Sequence, residues 1–95
     1  MNFGKAIELL KQGERVCRKG WNGKNMFIYL VKGNVIEAKD LRNEAFKHVA
    51  SKKEAPYDEV SINDHIDMKV ADGSIVVGWL ASQADMLAED WEIAK

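Results

Sequence analysis

Ninety-five residues, 46% hydrophobic and 31% charged, fit one small globular domain spanning 1–95 and exclude collagen-like and disordered classes. A net charge of -1 argues against a surface built to grip a nucleic-acid backbone, so no nucleic-acid polymer is expected as a partner. One cysteine, Cys17, excludes an intrachain disulfide and suits a reducing compartment.

The longest apolar run, Met26 to Val31, is too short to span a bilayer, and residues 1–15 do not resemble a signal peptide. The expectation is a protein that stays in the cytoplasm where it is made, with no membrane partner. Charge is unevenly spread: residues 1–24 carry six basic and two acidic side chains, whereas the remainder is acidic by five. That asymmetry can mark a local anion site or a contact between subunits, or it is a mixed solvated surface.

In chain order, Phe3, Ala6, Ile7 and Leu10 fall at i, i+3, i+4 and i+7, which predicts a helix at about residues 3–12 with Asn2 as its N-cap. Glu14 to Lys19 reads as a short strand, and Gly20-Trp21-Asn22-Gly23 as a turn. Met26 to Val31 reads as a buried strand with both faces apolar: Met26, Ile28 and Leu30 on one side, Phe27, Tyr29 and Val31 on the other. One helix layer covers one face. A subunit interface or a ligand pocket is the natural cover for the second, and a homo-oligomer is expected.

Asp40 is placed as the cap of a helix carrying Leu41, Ala45 and Val49, and Ser51 to Asp64, with Pro56, reads as a polar surface loop. His65 to Ala71 alternates as a half-buried strand with Ile66, Met68 and Val70 inward. Asp72-Gly73 turns it into a returning strand over Ser74 to Leu80. Ser82 with Asp85 forms a capping-box variant opening a short helix over Ala84, Leu87 and Ala88. Asp90 is expected in an exposed turn, Trp91 in the core, and Trp91 to Ala94 as a last strand. The sum is an α+β fold, an antiparallel sheet with two or three helices.

No catalytic constellation emerges. His48 and His65 lack a ligand pattern, so no metal is expected, and Cys17 reads as an inert buried thiol. No glycine-rich phosphate loop or nucleophile elbow is present, and the spacing of Asp67, Asp85 and Asp90 singles out no acid/base pair. The chain offers no positive reason to be an enzyme, and no cofactor is expected.

Binding has more support. Trp21 lies among Arg18, Lys19 and Lys24, an indole to stack a planar base beside cations for phosphate oxygens. The alternative has Trp21 plugging the end of the core while the cations are solvated. After Trp79, a helix starting at Ser82 leaves the N–H groups of Gln83 and Ala84 for a phosphate, or for Asp85 folding back as a cap.

At these segments the chain resembles the Thoeris anti-defence 2 family of bacteriophages. The matching segments are Met1-Asn2-Phe3-Gly4 with the helix after it, Arg18-Lys19-Gly20-Trp21-Asn22-Gly23-Lys24, and Met26 to Val31. They continue with His65-Ile66-Asp67-Met68-Lys69, Ala71-Asp72-Gly73, Trp79 to Asp85, and Leu87 to Trp91, about two thirds of the chain in the family's order. Residues 33–61 do not follow that pattern.

The resemblance implies a homotetrameric sponge in the host cytoplasm. Such a protein captures, without cleaving it, a cyclic ADP-ribose isomer that serves as a bacterial immune signal; some members also hold cyclic dinucleotides. It implies ligand-binding roles for Trp21, Asn22, Trp79, Ser82, Gln83 and Asp85, to which the charge pattern adds Arg18 and Lys24. Other readings are a cyclic dinucleotide sponge, an adaptor that binds a host defence effector directly, and a hydrolase of the same signal.

Overall fold

The computed structural model describes residues 1–22, 24–50 and 59–95. Gly23 of the expected turn and residues 51–58 of the expected polar loop lie outside them. The chain forms two compact units, one made of Met1–Val31 with His65–Lys95 and the other of Lys32–Asp64. No helix among the described residues is long and apolar enough to cross a membrane.

In the first unit, α1 (Phe3–Lys11) is capped by Asn2, whose side-chain oxygen accepts from the Lys5 amide at 2.8 Å. An antiparallel sheet of five strands follows: β1 (Val16–Arg18), β2 (Phe27–Val31), β5 (His65–Lys69), β6 (Ile75–Val76) and β7 (Trp91–Ile93), in the order β6-β5-β2-β1-β7. Short α3 (Gln83–Leu87) precedes β7. The architecture is α+β, with an antiparallel sheet.

The sheet has two distinct faces because its strands alternate. Val16 lies opposite Ile28, and Ile28 opposite Met68, on the face toward α1. With Ala6, Leu10 and Trp91 they form the core. Phe27 lies opposite Lys69 and Tyr29 opposite Asp67 on the other face. The apolar outer residues of β2 are half-buried, as are Met26 and Leu30 on the inner side.

Four expectations for this unit are corrected. The returning strand is only Ile75–Val76, because Gly78 at φ +81° turns the chain away; Trp79 N–H then donates to the Ile66 carbonyl at 2.6 Å. Asp67, expected on the polar side, is buried at 6% exposure, where it accepts from the Gly78 amide at 3.0 Å with His65 Nε2 at 3.6 Å. Leu87, expected beneath α3, is 78% exposed, and the residue that α3 buries is Asp85. Asp90 is half-buried and ion-paired rather than an exposed turn residue.

The second unit contains a hairpin of β3 (Asn34–Glu37) and β4 (Glu59–Ile62), paired from Asn34 with Ile62 to Glu37 with Glu59. β4 corrects the sequence reading, which had residues 59–62 within a loop, and β3 forms where no element was assigned. A 3-10 turn at Ala38–Asp40 follows β3; then come α2 (Asn43–Ala45) and a wider helical turn at Phe46–Ala50. Asp40 therefore ends a turn instead of capping the helix. Leu41 and Arg42 are extended, with ψ of 148° and 151°, and this break forces the helix to start at Asn43.

Candidate functional site

Three tryptophans meet where the inner face of the sheet ends. Trp21 stands edge-on to Trp79 and Trp91, with ring centroids 6.3 and 5.3 Å away, and Trp79 also contacts Phe3 at 6.5 Å. Trp91 is buried at 2% exposure, while Trp21 and Trp79 are half-buried. Sequence spacing offered Trp21 either as a core plug or as a stacking platform. The structure packs it against the core and also places it at the rim of a cavity.

Asp85 is the hub beneath this cluster. One of its carboxylate oxygens accepts from Arg18 at 2.8 Å and from the Trp21 indole N–H at 3.2 Å. The other accepts from the Ser82 amide at 3.2 Å, and Ser82 Oγ accepts from the Asp85 amide at 3.1 Å, which completes the capping box. The Asp85 backbone carbonyl takes the buried Trp91 indole N–H at 2.9 Å. Burial pushes the Asp85 carboxyl up, but the hydrogen bonds from Arg18, Trp21 and Ser82 outweigh it and hold the group below the usual carboxylate range.

Arg18 reaches a second carboxylate as well, with Nε 2.8 Å from Asp90, whose other oxygen accepts from the Gly20 amide at 2.8 Å. Hydrogen bonds to Asp90 and then Asp85 hold the guanidinium charged, and the Arg18 hydrogen bond in turn holds the Asp90 carboxyl below its usual range. Two carboxylates thus neutralise the cation that the charge pattern assigned to a phosphate.

A cavity of about 710 Å³ opens beside Trp21 on the sheet face away from α1. Strand alternation builds most of it: Arg15, Cys17 and Lys19 line this face while Val16 points into the core, and Arg18, bonded to Asp85 on the inner side, also borders the cavity. Phe27 and Lys69 border it from β2 and β5, and Glu92 from β7. Arg15 lies 4.7 Å and Lys69 Nζ 5.5 Å from the centre of the Phe27 ring. Lys19 Nζ is 3.9 Å from Glu92, and the Cys17 thiol 4.0 Å. Burial, followed by the Glu92 charge, pushes the Cys17 thiol up, yet Cys17 is half-buried at the cavity wall and not a fully buried thiol.

The residues singled out by sequence fall into three groups. Trp21, Trp79, Arg18, Ser82 and Asp85 converge in one cluster. Asn22 is exposed and lines a smaller hollow of about 460 Å³ with Trp21, Met26 and Asp72. Lys24 and Gln83 are exposed and border neither space. Arg15, Phe27, Lys69 and Glu92 were missed. The alternation of Arg15-Val16-Cys17-Arg18-Lys19 held the signal for the first, but the approach of Lys69 to Phe27 depends on strand register.

Comparison with known proteins agrees with this arrangement of motifs. The chain matches the model of the Thoeris anti-defense 2-like domain over residues 1–94. It is 41% identical over 93 residues to Thoeris anti-defense 2 of Bacillus phage SP01, covering 98% of this chain and 93% of that protein. The chain belongs to the Thoeris anti-defense 2 family.

Proposed function

We propose that this protein is a phage anti-defence sponge that captures a cyclic ADP-ribose isomer in the host cytoplasm without cleaving it, and so keeps the signal from its effector. Family membership across residues 1–94 is the observation that carries the reading. The geometry supports it. A half-buried indole stands at the rim of a cavity of about 710 Å³, a size that suits a small-molecule ligand, and basic side chains outnumber carboxylates on its walls. A dinucleotide-like ligand brings a planar base for Trp21 and a pyrophosphate for the cations. Capture calls for tight binding and no turnover, so the protein is read as a binder and not as an enzyme.

A homotetramer belongs to the same proposal. Leu80 is 89% exposed, Leu87 78% and Val77 72%, and a second copy would remove such apolar surface from water.

Isothermal titration with the glycosidically linked cyclic ADP-ribose isomers tests the reading, followed by mass spectrometry of ligand released from heat-denatured complex. Tight binding with the molecule recovered intact is expected. Recovery of a changed molecule would make the protein a hydrolase. Absence of binding would turn attention to cyclic dinucleotides, and failure there as well would leave direct contact with a host effector.

A further inference from the structure

Arg15 and Lys69 converge on one phenyl ring from different strands. Among the described residues neither has a carboxylate partner, in contrast to Arg18 with two. Lys69 is fixed by donating to the Asn25 carbonyl at 2.9 Å, and the ring of Phe27 orders the Arg15 guanidinium. Two cations held against a shared ring repel each other, and an anion between them relieves that repulsion.

The same two side chains and Phe27 also border a second hollow, of about 570 Å³, that continues over Tyr29 and Ile75. A cationic clamp thus runs into a shelf with an aromatic ring and an apolar side chain. Its chemistry matches a diphosphate attached to a planar base: oxygens to the clamp, ring to the shelf.

From this we infer that Arg15, Lys69 and Phe27 form a clamp for the diphosphate of a nucleotide ligand, with Tyr29 and Ile75 beneath its base. The inference rests on the capture reading for the physiological ligand, while the clamp itself can be tested with ADP.

Cys17 borders the same cavity and is the chain's one cysteine, so it serves as a native reporter. The experiment follows the reaction of Cys17 with a disulfide reagent at pH 8, with and without ADP, pyrophosphate or adenosine. ADP should slow the reaction several-fold, pyrophosphate should do so only at higher concentration, and adenosine should leave it unchanged. The variant with both Arg15→Ala and Lys69→Ala should need about tenfold more ADP or worse. Should that protein misfold, Arg15→Gln and Lys69→Gln singly carry the same test.

Unchanged reactivity with ADP, or equal protection of the variants, would overturn the clamp. Where the raised Cys17 thiol reacts too slowly to follow, isothermal titration with ADP takes its place, and absence of binding heat would overturn the clamp. Protection by ADP in a protein that retains no cyclic nucleotide would sink the capture reading alone. Retention of cyclic nucleotide with no ADP protection would sink the clamp alone.

Discussion

The Trp21 indole N–H and the Arg18 guanidinium share one oxygen of Asp85, at 3.2 and 2.8 Å. A single carboxylate therefore fixes the ring plane of an aromatic at the cavity rim and neutralises a cation. Arg18 works as a strut, because its charge is spent on Asp85 and Asp90. On the other sheet face, Arg15 and Lys69 have no carboxylate partner among the described residues.

Removing the hub should be costly. Asp85→Ala leaves Arg18 with one partner, strips Trp21 of its acceptor and breaks the capping box, for an expected loss of about 2–3 kcal/mol. Urea unfolding monitored by tryptophan fluorescence measures it. Ser82→Ala removes only the cap and should cost about 1 kcal/mol in the same assay. Equal losses for the two variants would contradict the hub.

Trp21 can be dissected by two substitutions. Trp21→Phe keeps an aromatic face and gives up the hydrogen bond to Asp85, so it should retain cyclic nucleotide with a stability loss of about 1 kcal/mol. Trp21→Ala removes the platform and should abolish retention in a protein that still folds. Titration of both variants beside circular dichroism separates the effects, and unchanged affinity in folded Trp21→Ala protein would return Trp21 to a purely structural role.

Stability should fall in acid for a stated reason. The carboxyls of Asp85 and Asp90 titrate lower in the folded protein than their usual value because Arg18 bonds their ionised forms. Their contribution is complete above the unfolded value of about 3.9 and is lost as the pH drops through the depressed folded values. Urea midpoints should hold steady from neutral pH to about pH 5 and decline below about pH 4. In Asp85→Asn protein the decline should be shallower.

Gly33 permits the close approach of the segment that follows β4. An added Cβ there would collide with the Ile62 carbonyl oxygen, and the Gly33 amide donates to Asp64 at 2.7 Å. Gly33→Ala should therefore disrupt the β3–β4 hairpin, with faster hydrogen exchange at those amides of Asn34–Glu37 and Glu59–Ile62 that bond across it. The amides of Val16 and Ile28, which belong to the other unit, should keep their protection.

Local signals carried much of the fold. Asn2, the 3.6-residue stripe of α1 and the Ser82–Asp85 capping box act within a few residues, and each appears as its chemistry requires. Signals weakened where the partner was distant. β4 alternates polar and apolar, but over only the four residues Glu59-Val60-Ser61-Ile62 and beside Asn63 and Asp64, so without sight of its pairing with β3 its residues read as loop. The Asp40 helix failed at two extended residues that no breaker marks.

By itself the sequence determined the α+β class, the starts of α1 and α3, the two-sided character of β2 and the family to which the chain belongs, since these depend on residue order and local pattern. Tertiary structure decided which charges cancel and which stay free. Arg18 and Arg15 are three positions apart with identical side chains, yet opposite strand faces send one to two aspartates and the other to a phenyl ring beside Lys69. Strand pairing joins residues far apart in sequence, and that register is where the chemistry of the cavity is set.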